Sequence, residues 1–236
     1  MEAIILAGGM GTRLRQVVPD LPKPMAPVAG RPFLASVLDR LIDAGFERAV
    51  LAVGYKHEAI SKHFGGHHHN LLLNYSVESL PLGTGGAIRL AADQVTQYPV
   101  FVLNGDTYLE LDYQAMLAAH QRARASLSVA VCRVPDVSRY GALELEGDVI
   151  QGFQEKGRTG PGYINAGVYL LSADVMKRIP AGEAFSFEQQ LLVPQVRELW
   201  PRAFLTEGRF IDIGIPEDYD RAQRLFTAPQ RDCKRP

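Results

Sequence analysis

Two cysteines among 236 residues, Cys132 and Cys233, are too few for a disulfide framework. A chain this long buries about 70% of its unfolded surface and needs no covalent or metal staple. Free thiols suit a reducing compartment. Charge of one sign is also missing: 25 Lys and Arg face 26 Asp and Glu. Nothing therefore draws the whole chain to nucleic acid or to an anionic membrane, and any recognition of phosphate has to be local. No apolar run approaches the roughly 18 residues of a membrane helix. The opening MEAIILAGG carries an acid and five consecutive apolar residues, not the basic start and longer apolar core of a secretory signal. The expectation is a cytoplasmic protein with no membrane and no nucleic-acid partner. Apolar residues at 47% and charged residues at 22% exclude a disordered tail, a collagen-like chain and a coiled coil.

What is present is an alternation of short apolar runs and helical patterns. Ala3–Ala7 is a β-type run that stops at Gly8-Gly9. Over Phe33–Ala44, residues Leu34, Val37, Leu38, Leu41 and Ile42 recur at helical spacing, with Gly45 as a stop. The same reading predicts strands at Ala49–Val53, Leu71–Val77, Val100–Leu103 and Ser128–Val134. It predicts helices around Lys56–Phe64, Thr84–Asp93 and Leu111–Arg124. Such alternation argues for a mostly parallel sheet covered on both faces. Beyond Tyr140 the pattern changes. Gly147-Asp148 between Leu143–Glu146 and Val149–Phe153 signals a hairpin. Tyr163–Leu171 reads as a strand, and Ala173–Arg178, Phe187–Trp200 and Pro216–Phe226 read as helices. Residues 1–226 are expected to form one domain, with 227–236 a loose tail.

Ligands of open α/β sheets bind outside the carboxyl ends of the strands. Gly8-Gly9-Met10-Gly11-Thr12-Arg13-Leu14 sits at one such end, and Leu21-Pro22-Lys23-Pro24 follows. Glycines let backbone N–H groups approach a polyphosphate without a Cβ in the way. Arg13 and Lys23 add positive charge. The string is not G-x-G-x-x-G, because Leu14 stands at the third glycine, and no Gly-Lys-Ser/Thr of a P-loop occurs. Taken alone, the turn is weak evidence, and an ordinary strand–turn with surface cations accounts for it better.

The whole string LAGGMGTRL with its downstream PKPM resembles the entry signature of the nucleotidyltransferases that activate sugar 1-phosphates. The likeness continues in order through Pro81–Ala87, Asn104-Gly105-Asp106, Glu155-Lys156, Asn165-Ala166-Gly167 and Phe210–Gly214. VPDLPKPMAPVAGRPFL, PLGTGGAI, VLNGDTYL and FIDIGIPEDY are most similar to the D-glycero-α-D-manno-heptose 1-phosphate guanylyltransferase branch. The resemblance implies a three-layer, Rossmann-like fold of the GT-A-like type. It implies that Leu6, Ala7, Gly8, Gly9, Gly11, Thr12, Arg13, Lys23, Glu78, Pro81, Gly83, Thr84, Asn104 and Gly105 bind the nucleotide. Gly141, Glu155, Lys156 and Asn165 would hold the sugar phosphate, and Asp106 and Asp212 would hold Mg²⁺. Arg13, Lys23 and Asp106 would be catalytic.

Each residue also has a plainer reading. Asp106 is equally a turn or helix-capping aspartate. Asp212, among Phe210, Ile211 and Ile213, is pushed toward burial, where a structural ion pair would also satisfy it. Glu78 can accept from the N1–H and N2–H₂ edge of guanine, or be a solvated loop glutamate. Glu155-Lys156 can be an exposed ion pair worth little stability, and Asn165 can serve a structural hydrogen bond. His67-His68-His69 lacks the usual zinc spacing and is expected to be a solvated loop. Trp200 is expected in core or interface packing.

The implied reaction joins a sugar 1-phosphate and a nucleoside triphosphate, GTP foremost, into an NDP-sugar and pyrophosphate. A phosphate monoester has a second pKa of about 6, so the nucleophile is an anion at pH 7 and needs no general base. That agrees with the lack of a Ser/His/Asp or Cys/His signature. Mannose, glucose or N-acetylmuramic acid 1-phosphate, with GTP, UTP or dTTP, are the alternatives inside the class. A non-catalytic nucleotide-sugar-binding subunit is the alternative outside it. The implied product would feed a surface glycan such as lipopolysaccharide, capsule or S-layer glycan.

Overall fold

The computed structural model describes residues 1–9, 11, 14, 18–154 and 157–227. In chain order the strands are β1 (Glu2–Leu6), β2 (Pro27–Val28), β3 (Arg31–Pro32), β4 (Arg48–Val53), β5 (His67–His68), β6 (Leu71–Val77), β7 (Val100–Asn104), β8 (Thr107–Leu109), β9 (Leu127–Val134), β10 (Leu143–Glu146), β11 (Val149–Phe153), β12 (Gly162–Leu171), β13 (Arg202–Thr206) and β14 (Phe210–Asp212). The α-helices are α1 (Phe33–Asp43), α2 (His57–Phe64), α3 (Gly83–Ala91), α4 (Tyr113–Arg122), α5 (Ala173–Lys177), α6 (Val196–Leu199) and α7 (Pro216–Thr227).

The main sheet runs β10-β11-β13-β9-β12-β7-β1-β4-β6-β5. β1, β4, β6, β7, β9, β10 and β13 point one way, and β5, β11 and β12 point the other. The parallel block β7-β1-β4-β6 is the part that alternation of strands and helices predicts. Both of its faces are covered, so its strands are mostly apolar, β6 with Asn74 and Ser76 being the most polar. In β1, Ala3 and Ile5 face one core, while Ile4 faces the other; in β7, Phe101 and Leu103 oppose Val100 and Val102. This is the period-2 consequence of the pleat.

The first core holds α1 and α4. Leu34, Val37, Leu38 and Leu41 of α1 are buried at helical spacing. Phe46, Phe101 and Tyr113 meet edge to face, with centroids 5.2, 5.2 and 5.4 Å apart. Such pairs add about 0.5–1.5 kcal/mol each beyond their burial. Truncating fully buried Leu38 to Ala costs about 2–5 kcal/mol, the usual range for a core leucine. Asp112 caps α4 by accepting from Ala115 N–H at 2.9 Å. The second core packs α3 and α5 on the opposite face, with Phe187, Leu191 and Leu192.

The structure corrects several expectations. Phe187–Trp200 is not one helix: a π-type turn spans Phe187–Leu192, and α6 starts only at Val196. Pro194 lies between them; it has no N–H for the ladder, and its ring clashes with the carbonyl four residues back. Trp200 is 52% exposed in a left-handed conformation, so it is not core. His67–His68 is an edge strand paired with β6, not a loop. β8 and β13 were not expected; β8 is three residues long, and β13 has a weakly buried pattern. α7 continues to Thr227, and the rest of the expected tail lies outside the described residues.

Candidate active site

Segments leaving the carboxyl ends of β1, β4, β6 and β7 surround a cavity of about 770 Å³. Ala7, Gly8 and Gly9 follow β1, Gly54 and Tyr55 follow β4, Glu78 to Thr84 follow β6, Asn104 ends β7 and Asp106 follows it. Leu6, Gly11 and Lys23 also line it. Two glycines are dictated by this packing. A Cβ on Gly8 would stand 2.7 Å from Glu78 Oε1 and 3.1 Å from Gly54 N. Gly11 has φ +57, and a Cβ there would stand 2.9 Å from Lys23 Cβ. Only a residue without a side chain lets these strands of backbone lie so close to Glu78 and Lys23.

A charged corner borders this cradle. Lys23 opens the 3-10 turn Lys23–Met25 between Pro22 and Pro24, and its side chain is 11% exposed. Its Nζ donates to Asp106 Oδ2 and lies 3.6 Å from Asp212 Oδ1. The two carboxylates come from positions far apart in the chain and meet because β8 and β14 pair antiparallel, with Asp212 opposite Thr107. Ile213 N–H donates to the Asp106 carbonyl at 3.1 Å and extends that pairing. Gly214 N–H donates to Asp212 Oδ1 at 2.7 Å, and Thr107 Oγ1 donates to Asp106 Oδ1 at 3.4 Å.

Burial raises the Asp212 carboxyl above the usual range, the charge of Asp106 raises it further, and Lys23 and the Gly214 N–H oppose the rise. Two acids converging on one cation is the arrangement that like charges need in order to stay ionised together. The same oxygen-rich pair fits a hard divalent ion. Burial also raises Glu78, countered by the Leu82 N–H that it accepts at 2.9 Å. Glu78 is thus half-buried and braces its own loop, in contrast to a solvated glutamate.

The structure places the other predicted residues unevenly. Pro81, Gly83 and Thr84 line the cavity. The Thr84 hydroxyl accepts from Phe187 N–H at 3.0 Å, and Phe185 O accepts from Gly85 N–H at 2.7 Å, so the start of α3 is fastened to the segment before Phe187. Gly105 N–H donates to Leu6 O at 2.9 Å and fixes the turn beneath Asp106. Asn165 sits at an irregularity in β12; its amide donates to the Tyr169 hydroxyl at 2.7 Å and accepts from Gly167 N–H at 3.0 Å. Gly141, with φ +81, donates to Val137 O. Neither Gly141 nor Asn165 is among the described residues lining the cavity. Thr12, Arg13, Glu155 and Lys156 lie outside the described residues. Gly54 and Tyr55 were missed. Their signal was available: they directly follow the apolar run Ala49–Val53, at the carboxyl end of a parallel strand.

Residues 2–228 match the Nucleotidyl transferase family. The chain is 42% identical, over 95% of its length and 97% of the relative's, to the D-glycero-alpha-D-manno-heptose 1-phosphate guanylyltransferase of Aneurinibacillus thermoaerophilus. It is 40% identical, over 93% and 97%, to the protein of the same name in Campylobacter jejuni. The crystal structure of HddC from Yersinia pseudotuberculosis complexed with GMP-PN is 38% identical and covers 95% of this chain and 99% of its own, with a TM-score of 0.84. A Bacillus anthracis structure described as a putative glucose-1-phosphate thymidylyltransferase shares the fold at a TM-score of 0.83 and 21% identity, covering 98% and 97%. With the glycine cradle and the paired acids at the carboxyl edge of such a sheet, the chain belongs to the Nucleotidyl transferase family.

Proposed function

We propose that this enzyme transfers GMP from GTP to D-glycero-α-D-manno-heptose 1-phosphate, releasing pyrophosphate and forming GDP-D-glycero-α-D-manno-heptose. The observation that carries the reading is the meeting of the glycine cradle with Lys23 and Asp106 at one cavity, with Asp212 Oδ1 3.6 Å from the Lys23 Nζ. The heptose and the base follow from the 42% and 40% identical relatives. Residues 1–226 act as one nucleotidyltransferase domain in the cytoplasm.

In this reading the segments after β1 and β6 receive the nucleotide. Gly8, Gly9 and Gly11 bring backbone N–H groups to the phosphates, joined by Thr12 and Arg13. Glu78, Pro81, Gly83 and Thr84 hold the guanine. Asp106 and Asp212 would hold Mg²⁺, their carboxylate oxygens suiting a hard divalent ion. When bound, the ion neutralises charge that builds on the α-phosphoryl oxygens. Lys23 orients Asp106 and places its ammonium where that negative charge accumulates. Lys156 and Glu155 meet the sugar phosphate and its hydroxyls. Asn165 and Gly141 complete the sugar-phosphate subsite, Asn165 with its amide held by Tyr169 and Gly167. The heptose phosphate oxygen attacks the α-phosphorus as an anion, and pyrophosphate departs from the opposite side. The chain's task is to align two anions that would otherwise repel.

The test is pyrophosphate release with Mg²⁺ across GTP, UTP, ATP, CTP and dTTP, each against heptose, mannose, glucose and N-acetylmuramic acid 1-phosphates. The expected result is a dominant rate for GTP with the α-heptose phosphate. A dominant rate for another pair would replace the substrate and keep the chemistry. Silence throughout, from folded protein that still binds nucleotide, would overturn the catalytic reading.

A further inference from the structure

Away from that cavity, at the opposite end of β6, Asp39, His68 and His69 come together. One ligand atom from each lies within 4.8 Å of the other two. Asp39 is on α1, His68 is on β5, and His69 follows at the hairpin tip with φ +53. Consecutive residues of a strand point to opposite faces. The left-handed turn at His69 breaks that rule and brings its ring beside that of His68, with centroids 4.7 Å apart. Asp39 Oδ1 lies 2.7 Å from His68 Nε2, and Arg31 donates to Asp39 Oδ2 at 2.7 Å. One carboxylate oxygen is thus held from behind by a cation while the other faces the imidazoles. This is how outer partners orient a metal-binding carboxylate. His68 and His69 line a cavity of about 370 Å³ that His63 also lines.

We infer that Asp39, His68 and His69 form a binding site for a borderline transition-metal ion such as Zn²⁺ or Ni²⁺, separate from the Mg²⁺ of the reaction. Two imidazoles and one carboxylate suit such an ion and not Mg²⁺, which prefers oxygen throughout. With bonds of about 2.0–2.1 Å, tetrahedral ligand atoms stand roughly 3.3 Å apart. Small rotations of the three side chains bring the ligand atoms to that value: the His68–Asp39 pair, now 2.7 Å apart, opens slightly, and His69 moves in from within 4.8 Å. Water or His63 supplies the fourth ligand. On binding, the hydrogen bond between His68 and Asp39 gives way to two metal bonds, and the neutral His68 ring carries its proton on Nδ1. The ion clamps the β5–β6 hairpin to α1.

The experiment uses untagged, EDTA-stripped full-length protein titrated with ZnCl₂ by calorimetry, alongside His69→Ala, Asp39→Asn and Asp106→Ala. His69 is exposed, so its truncation leaves the fold intact. The expected result is one equivalent of Zn²⁺ bound by the parent and by Asp106→Ala. His69→Ala and Asp39→Asn bind it at least about tenfold more weakly, and His69→Ala keeps full Mg²⁺-supported turnover. Excess Mg²⁺ does not displace the ion. Zinc bound equally by His69→Ala and the parent would overturn the inference, as would zinc lost with Asp106→Ala.

Discussion

The two sides of the main cavity are built by opposite means. The β1–β4–β6 side is shaped by backbone: Gly8 lies against Glu78 and Gly54 so closely that a single methyl group has no room. The β7–β8–β14 side is shaped by charge, with Lys23, Asp106 and Asp212 drawn together from three distant segments. One side leaves little room for a Cβ at Gly8 and Gly11, and the other depends on its charges. The first is a matter of fit for the nucleotide, so its failures belong in binding. The second stabilises what develops during transfer, so its failures belong in rate.

The largest expected effect is therefore on the charged side. Asp106→Ala should lower kcat by about 10²–10³-fold, the usual loss for a charge-stabilising contact. Circular dichroism should be unchanged, because the side chain is one-third exposed and carries no core packing. Pyrophosphate release under saturating substrates measures it. Near-parental turnover would remove Asp106 from the machinery. Gly8→Ala is the matching change on the other side. Its Cβ meets Glu78 Oε1 at 2.7 Å and the Gly54 backbone at 3.1 Å, so either the loop shifts or Glu78 leaves its place. The expectation is a KM for the nucleotide raised about tenfold, with kcat falling less than for Asp106→Ala. A kcat loss as large as that of Asp106→Ala with an unchanged KM would erase the contrast between the two sides.

The same contrast explains what could be read from the sequence. Backbone features announce themselves: Gly8-Gly9 ends an apolar run, and Asn104-Gly105-Asp106 ends another, so their place at the sheet edge follows from periodicity. Charged convergence does not announce itself. Nothing local in Phe210–Gly214 says that it will pair with Thr107–Leu109, because three-residue strands have too little pattern to detect. Only the resemblance linked Asp212 to Asp106. The parallel half of the fold was legible because strands covered on both faces are mostly apolar. The 187–200 region was misread because helical spacing outweighed Pro194. The histidine run was misread for another reason: adjacency in sequence scatters side chains along a strand, and the left-handed turn at His69 and the approach of Asp39 are tertiary facts.

The smallest expected effect is in stability, and it runs opposite to the effect on function. Asp212 is partly buried beside Asp106, so its carboxyl holds a proton more tightly in the folded chain than in the unfolded one. Between the ordinary aspartate range and the raised value, the folded state then binds more protons. Stability accordingly falls as pH climbs through that window. Above that raised value the parent carries the cost, offset in part by Lys23 and the Gly214 N–H. Asp212→Asn keeps the shape and the acceptor oxygen for Gly214, removes the like charge, and leaves Lys23 its partner Asp106. In EDTA its Tm should exceed that of the parent at pH 7, and the gap should narrow as pH drops toward 4. Differential scanning calorimetry at pH 7, 5.5 and 4 checks this. A Tm lowered at pH 7 would mean that the attraction to Lys23 outweighs burial and repulsion together. The charged corner would then be built for stability as well as for transfer.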